Sequence, residues 1–306
     1  MNSNFPTKKD NTENEMTKSL TGRLCGANER YKIKELTGEI SKVETYKAFD
    51  DKLNREVSLQ IYSADQTDLA KSQLKIYATL QHPNVLPLLD ATKIDDRSVQ
   101  VLRQMEGFKL SELINGETGL AHEEIFNIIP QLLDVLITLH DLGYMHLGLN
   151  PASILLSTGW DTGCRYFLTS FINACEMDQD KTWAKPQPGM FRDFFTYSAP
   201  EVLNGGTADE RSDLFSLGAV IYHSFCGTPP YVGDSPIEIS SCHQKTPPHH
   251  LGYFRPEIPS EIANWVMSLI AIEPSERPLN PLEALKSFQK VTESTSQELN
   301  LDSRVA

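Results

Sequence analysis

Gly143–Leu156, GYMHLGLNPASILL, sets a histidine at 146 and a proline at 151, then runs into an apolar strand. The segment before it, HEEIFNIIPQLLDVLITLHDLG, places Ile125, Ile128, Ile129, Leu132, Leu136 and Leu139 at helical spacing on one face. Gly143 is suited to end that helix. Pro130 is expected to kink it or to lie in its first turns. The stretch therefore reads as a helix, a loop closing over a buried face, and a strand. From Leu147 to Leu156 the loop carries no ionisable side chain.

Working towards the N-terminus, SVQVLRQM and NVLPLLDATKID read as strands, and DQTDLAKSQLKIYATLQ has helical spacing through Leu69, Gln73, Ile76, Tyr77 and Leu80. Asp65 or Thr67 is expected to cap that helix. YKIKELTGE, KVETYKAFD and REVSLQIY form an antiparallel meander, with DKLN as a turn. Towards the C-terminus, SDLFSLGAVIYHSFCG is apolar nearly all round, as a central buried helix would be, and SEIANWVMSLIAI is amphipathic. The expected fold class is α+β and bilobal: a small antiparallel β lobe with one helix over residues 29–106, and a larger, mainly helical lobe over 107–292. Residues 1–28 and 293–306 are polar and are expected to be disordered.

The chain has 306 residues, 40% hydrophobic and 23% charged, with a formal net charge of -13. That balance argues against nucleic acid and anionic membrane surfaces as main partners. The N-terminal residues lack the apolar run of a signal peptide, and no window is long enough to span a bilayer. Five cysteines without metal-ligand spacing read as free thiols in a reducing compartment, so a cytoplasmic location is expected.

YKAFDDKLNREV, LQHPNVLPLLD, YSAPEVL, RSDLFSLGAVIYHSFCGTPPYVGDSP and EPSERP stand in one order and at one spacing over roughly Tyr31–Val291. In these motifs the chain resembles the bacterial, eukaryotic-like (Hanks-type) serine/threonine protein kinases. The resemblance implies ATP, magnesium and a substrate hydroxyl brought together in a cleft between two lobes. It also shows which parts are missing. Only Gly38 remains of three loop glycines, with Ile40 and Val43 in the other places. Gln60 stands for the phosphate-binding lysine and Gln73 for its glutamate partner. In the loop, Leu147 replaces an arginine, Gly148 the aspartate that orients the hydroxyl, Asn150 a lysine and Ser153 a magnesium-binding asparagine. Ser170, before Phe171 and Ile172, replaces the magnesium aspartate, and Phe194 a substrate-facing threonine.

What the resemblance leaves intact is packing: a spine of Leu88, Tyr77, His146 and Phe171 footed on Asp213, and a Glu201–Arg277 ion pair. Gln60 and Gln73 are expected to hydrogen-bond each other. The pattern implies a pseudokinase, a catalytically inactive scaffold or allosteric partner in signalling, with no catalytic and no metal residues. The alternative is a residual or atypical serine/threonine kinase that binds ATP and transfers phosphate. Leu36, Thr45, Ser58, Leu102 and Leu155 mark a vestigial adenine slot, implying at most weak ATP binding without magnesium and no required cofactor. Lys42 is the one stand-in for the missing lysine, and Asp161, Asp178 and Asp180 for the missing carboxylate; surface roles account for all four. A protein partner is expected, a kinase, receptor or substrate, with QKTPPHHLGYF as an exposed loop.

Overall fold

The computed structural model describes residues 19–114, 119–157, 165–177 and 192–305. Six strands form one antiparallel sheet: β1 (Leu24–Cys25), β2 (Tyr31–Ile40), β3 (Val43–Asp50), β4 (Arg55–Tyr62), β5 (Leu88–Ile94) and β6 (Arg97–Arg103), in the order β1-β2-β3-β4-β6-β5. Alternation along these strands buries Tyr31, Ile33, Tyr46, Ala48, Val57, Leu59, Ile61, Val99 and Val101 in one core. β2 and β3 pair to their ends, Ile40 opposite Val43, and are joined by Ser41 and Lys42, both at positive φ. That is the two-residue turn whose twist suits a hairpin.

Two sequence expectations change here. Disorder was expected through residue 28, yet residues 19–28 are part of the lobe. Leu20 and Cys25 enter the sheet's core, and Cys25 pairs with Tyr31. Two buried apolar side chains, together with strand pairing, offset the ordering entropy of a polar segment. Burial also pushes the Cys25 thiol up to about 11, which keeps it unreactive. The helix α1 (Thr67–Thr79) forms as expected but without a side-chain cap, since Gln66 occupies the capping position. Asp65 instead accepts from Ser63 Oγ and from Lys42 Nζ.

The large lobe begins with β7 (Phe108–Lys109) and α2 (Leu110–Leu113). Next comes α3 (His122–Asp141), which continues through Pro130 and buries the predicted Ile/Leu stripe. Pro130 lies past the first turns, so the helix forgoes one backbone bond there. Gly143, at φ 80, follows the end of α3. β8 (Tyr144–Met145) pairs with β11 (Cys175–Glu176), and β9 (Ile154–Ser157) lies between β7 and β10 (Arg165–Leu168). After α4 (Arg192–Tyr197) and α5 (Pro200–Leu203), α6 (Glu210–Cys226) is buried along nearly its whole length, as its all-round apolar sequence predicts. Around it pack α7 (Pro236–Lys245), α8 (Leu251–Phe254), α9 (Ser260–Leu269) and α10 (Pro281–Val305).

Residues 293–305, where disorder is expected from the sequence, continue α10 as helix to Val305. Thr292 Oγ1 donates to Phe288 O and Ser294 Oγ to Lys290 O, so these two hydroxyls bond within the helix. The helix is anchored upstream, where Ala284 and Phe288 are buried and Phe288 packs on Trp265.

Candidate functional site

The loop after α3 is held from below by one carboxylate. Asp213, fully buried on α6, accepts from the backbone N–H groups of His146 (2.8 Å) and Leu147 (2.7 Å) and lies 2.8 Å from His140 Nε2. Burial would raise the Asp213 carboxyl, but the His140 bond, nearby imidazoles and backbone donors hold it below the usual range. Leu147 is buried at φ 51, a conformation that costs a branched residue roughly 1–2 kcal/mol, and the Asp213 bond pins it. His146 Nε2 lies 2.9 Å from Ser170 O, while its Nδ1 accepts from Gly148 N. Burial keeps its imidazole below the usual histidine range, consistent with this neutral tautomer. Phe171 packs between Tyr77 (5.1 Å) and His146 (5.4 Å), so the predicted spine is assembled. Deeper in the lobe, Arg277 donates to both oxygens of Glu201 at 2.8 and 3.0 Å, as predicted.

The other half of the loop closes on itself. Asn150 Oδ1 accepts from the N–H groups of Ala152 and Ser153, and its Nδ2 donates to Gly148 O at 2.9 Å. Ser153 Oγ donates to Asn150 O at 2.7 Å and accepts from Asn150 N. These are the bonds of a capping box around a single helical turn. They engage every polar atom of both side chains at least once.

Gly148 is small for a steric reason. A Cβ built there would lie 2.4 Å from Asn173 Nδ2 and 3.0 Å from Asn173 Cβ. Asn173 was not singled out in the sequence. The signal for it was indirect: a glycine inside an otherwise packed loop marks a neighbour that intrudes.

Gln60 and Gln73 do not bond each other as expected. Gln60 Nε2 donates to Thr169 O at 3.4 Å and Gln73 Nε2 to Phe171 O. Tyr77 Oη donates to Thr169 O at 3.1 Å. Three small-lobe side chains are thus clipped to carbonyls of the 169–171 backbone, and the Phe171 carbonyl also accepts from Ala174 N. Lys42, on the hairpin turn, pairs with Asp65 at 3.0 Å and is exposed. Asp161, Asp178 and Asp180 lie outside the described residues.

Between the lobes is a cavity of about 530 Å³. Thr45, Ser58, Leu102 and Leu155 line it as expected, with Gln60, Asn150 and Ser170. Leu36 does not line it and is exposed. The β2–β3 register shifts between Leu36 and Gly38, so the alternation slips and Thr37 faces the cavity instead. Phe194, buried on α4, also lines it, with Asn173. Among the described residues no group of three His, Cys, Asp or Glu side chains is placed to hold a metal ion. At the positions where the family resemblance implies metal ligands stand Ser170, which is neutral, and Ser153, already bonded within its own loop.

A sequence model described as the protein kinase domain matches residues 31–288. The chain belongs to the protein kinase family. Within that family it is 29% identical to the DNA damage-responsive serine/threonine-protein kinase RqkA of Deinococcus radiodurans, over 81% of this chain and 37% of RqkA. It is 26% identical to the serine/threonine-protein kinase PrkC of Bacillus subtilis, over 81% of this chain and 38% of that one. To PknB of Mycolicibacterium smegmatis it is 25% identical, over 81% and 41%. The match thus spans about two-fifths of the length of these kinases. They are bacterial serine/threonine kinases, as the motifs implied. No helix among the described residues is long and apolar enough to cross a membrane.

Proposed function

We propose that this kinase-family chain is a pseudokinase, a binding scaffold or allosteric partner in signalling that does not transfer phosphate. The observation that carries the reading is the closed state of the catalytic loop. The Asn150 and Ser153 side chains are bonded to the loop's own backbone, and Asn173 crowds the space a side chain at 148 would need. Phosphoryl transfer needs charge held on the phosphates, magnesium held by carboxylates, and an oriented hydroxyl. Gln60 in place of a cation forfeits a charge-assisted contact worth about 1.5–3 kcal/mol. Serine hydroxyls in place of a carboxylate and an amide are weak ligands for a hard divalent ion. The donor set does not fit magnesium. The assembled spine and the Glu201–Arg277 pair supply rigidity, which a docking platform needs as much as an enzyme does.

The second reading is an active serine/threonine kinase, and the relatives favour it: RqkA and PrkC are both named as kinases. One experiment separates the two. The purified chain is incubated with γ-labelled ATP and magnesium or manganese, alone and with a generic protein substrate, while manganese binding is followed by electron paramagnetic resonance. No transferred label and no bound manganese are expected. Label on either protein, abolished by Gly148→Arg, would establish the kinase reading instead.

A further inference from the structure

The cavity between the lobes sorts its lining by charge. Six ionisable residues line it: Glu39, Lys47, Arg103, Glu106, Lys109 and Glu112. Five of them are exposed and Lys47 is half-buried, so all lie towards the mouth. Three are acidic and three basic, so the rim has no net preference for either sign. Lys109 Nζ reaches over the Gly38 backbone at that rim. The strand register shows the gradient inward. Lys47 stands opposite Ser58, and one step deeper on the same face Thr45 stands opposite Gln60. From there the described lining is amide, hydroxyl and hydrocarbon, ending at Ser170, Asn173 and the ring of Phe194.

We propose that this cavity is a binding site for an uncharged, ring-bearing small molecule, and that it discriminates against phosphorylated forms of the same ring. The proposal rests on the reading of the cleft as one without metal-held phosphates, and names the ligand class left to it. The walls come from opposite lobes, with Val43 and Leu102 on the sheet side and Leu155 on β9, and they bury apolar surface. The hydroxyls of Thr45 and Ser170 and the amide of Asn173 offer neutral hydrogen bonds at the inner end. A volume of about 530 Å³ suits a single small molecule. A polyanion at the inner end would lose water and meet no cation among the described residues there, since Lys47, Arg103 and Lys109 lie towards the mouth, and that is costly at low dielectric. A neutral ligand incurs no such penalty.

The test holds the ring constant and changes only charge. Adenosine, AMP, ATP and ATP with magnesium are titrated calorimetrically into the full chain. Adenosine is expected to bind at least tenfold tighter than ATP, with AMP between them and no effect of magnesium. Gln60→Lys, which adds one cation at the inner end, is expected to raise ATP affinity at least tenfold relative to adenosine. ATP binding tighter than adenosine without magnesium would overturn this proposal alone. Tighter binding that requires magnesium would overturn both it and the metal-free reading. Silence of all four probes would overturn the ligand proposal and leave the pseudokinase reading standing. An unchanged ratio in Gln60→Lys, with the variant's melting intact, would place the ligand elsewhere and overturn it too.

Discussion

One loop shows two ways of being held. From His146 back to α6 it rests on a buried carboxylate and, one layer below, on a doubly bonded ion pair. From Gly148 to Ser153 it rests on neutral amides and hydroxyls bonded to each other. Charge has been kept where it supports the frame and is absent where chemistry would need it. The difference teaches that a buried charge is costly to remove where other groups are aimed at it, and that a loop can be held without charge where its side chains bond its own backbone. Asp213 has three donors aimed at it, whereas a carboxylate at 148 would have Asn173 in its way.

The largest effect is expected on the charged side. Arg277→Met removes both bonds to Glu201 and those to the carbonyls of Arg211, Ala271 and Ile272. A loss of about 3–5 kcal/mol in urea unfolding is expected, because Glu201 is left without its cation. A loss under about 1 kcal/mol would break the comparison at its root.

A pH titration comes next. His243 is buried against Phe215 and Tyr231, and neither ring nitrogen has a partner among the described residues. Burial lowers it from 6.5 to about 4. The unfolded chain therefore takes up the proton first as pH falls. Stability is complete above 6.5 and declines as pH drops towards 4, by roughly 3 kcal/mol from this group. His146 and His223 are lowered too and act in the same direction. Asp213 is lowered from 3.8, so it loses its contribution only at more acidic pH. His243→Phe, which leaves no ring nitrogen to charge, is expected to flatten the slope between pH 6.5 and 4. An unchanged slope would exclude His243 as its source.

Much of this was legible in the sequence, and the failures have physical causes. The stripe of α3 and the all-round apolar α6 declare themselves because burial dominates their composition. Spine and ion pair follow from motif spacing. Leu36 was misplaced because the β2–β3 pairing has two irregularities, one on either side of it, which the sequence alternation does not reveal. The Gln60–Gln73 bond was a plausible local match defeated by longer-range acceptors on 169–171. Residues 19–28 and the end of α10 carry ordinary polar sequence, and contacts far away in the chain order the former. Asn173 escaped because its role is only volume.

That volume gives the third prediction. Gly148→Ala is expected to cost about 1–3 kcal/mol by crowding Asn173, and Asn173→Gly to relieve most of it in the double variant. Additive losses would mean the two side chains do not share one space. By the same logic, Gly148→Asp alone restores no transfer activity. The smallest effect belongs to the neutral side: Ser153→Ala is expected to cost about 1 kcal/mol in the same unfolding assay. A cost equal to that of Arg277→Met would erase the distinction between the two halves.

The clip between Gln73 and the carbonyl of Phe171 joins the lobes by dipoles. In an ion pair, dissolved electrolyte weakens the link; between an amide and a carbonyl it has little to screen. The hold this clip has on α1 is therefore little affected by ionic strength, unlike the exposed Lys75–Glu176 ion pair that also ties α1 to the large lobe.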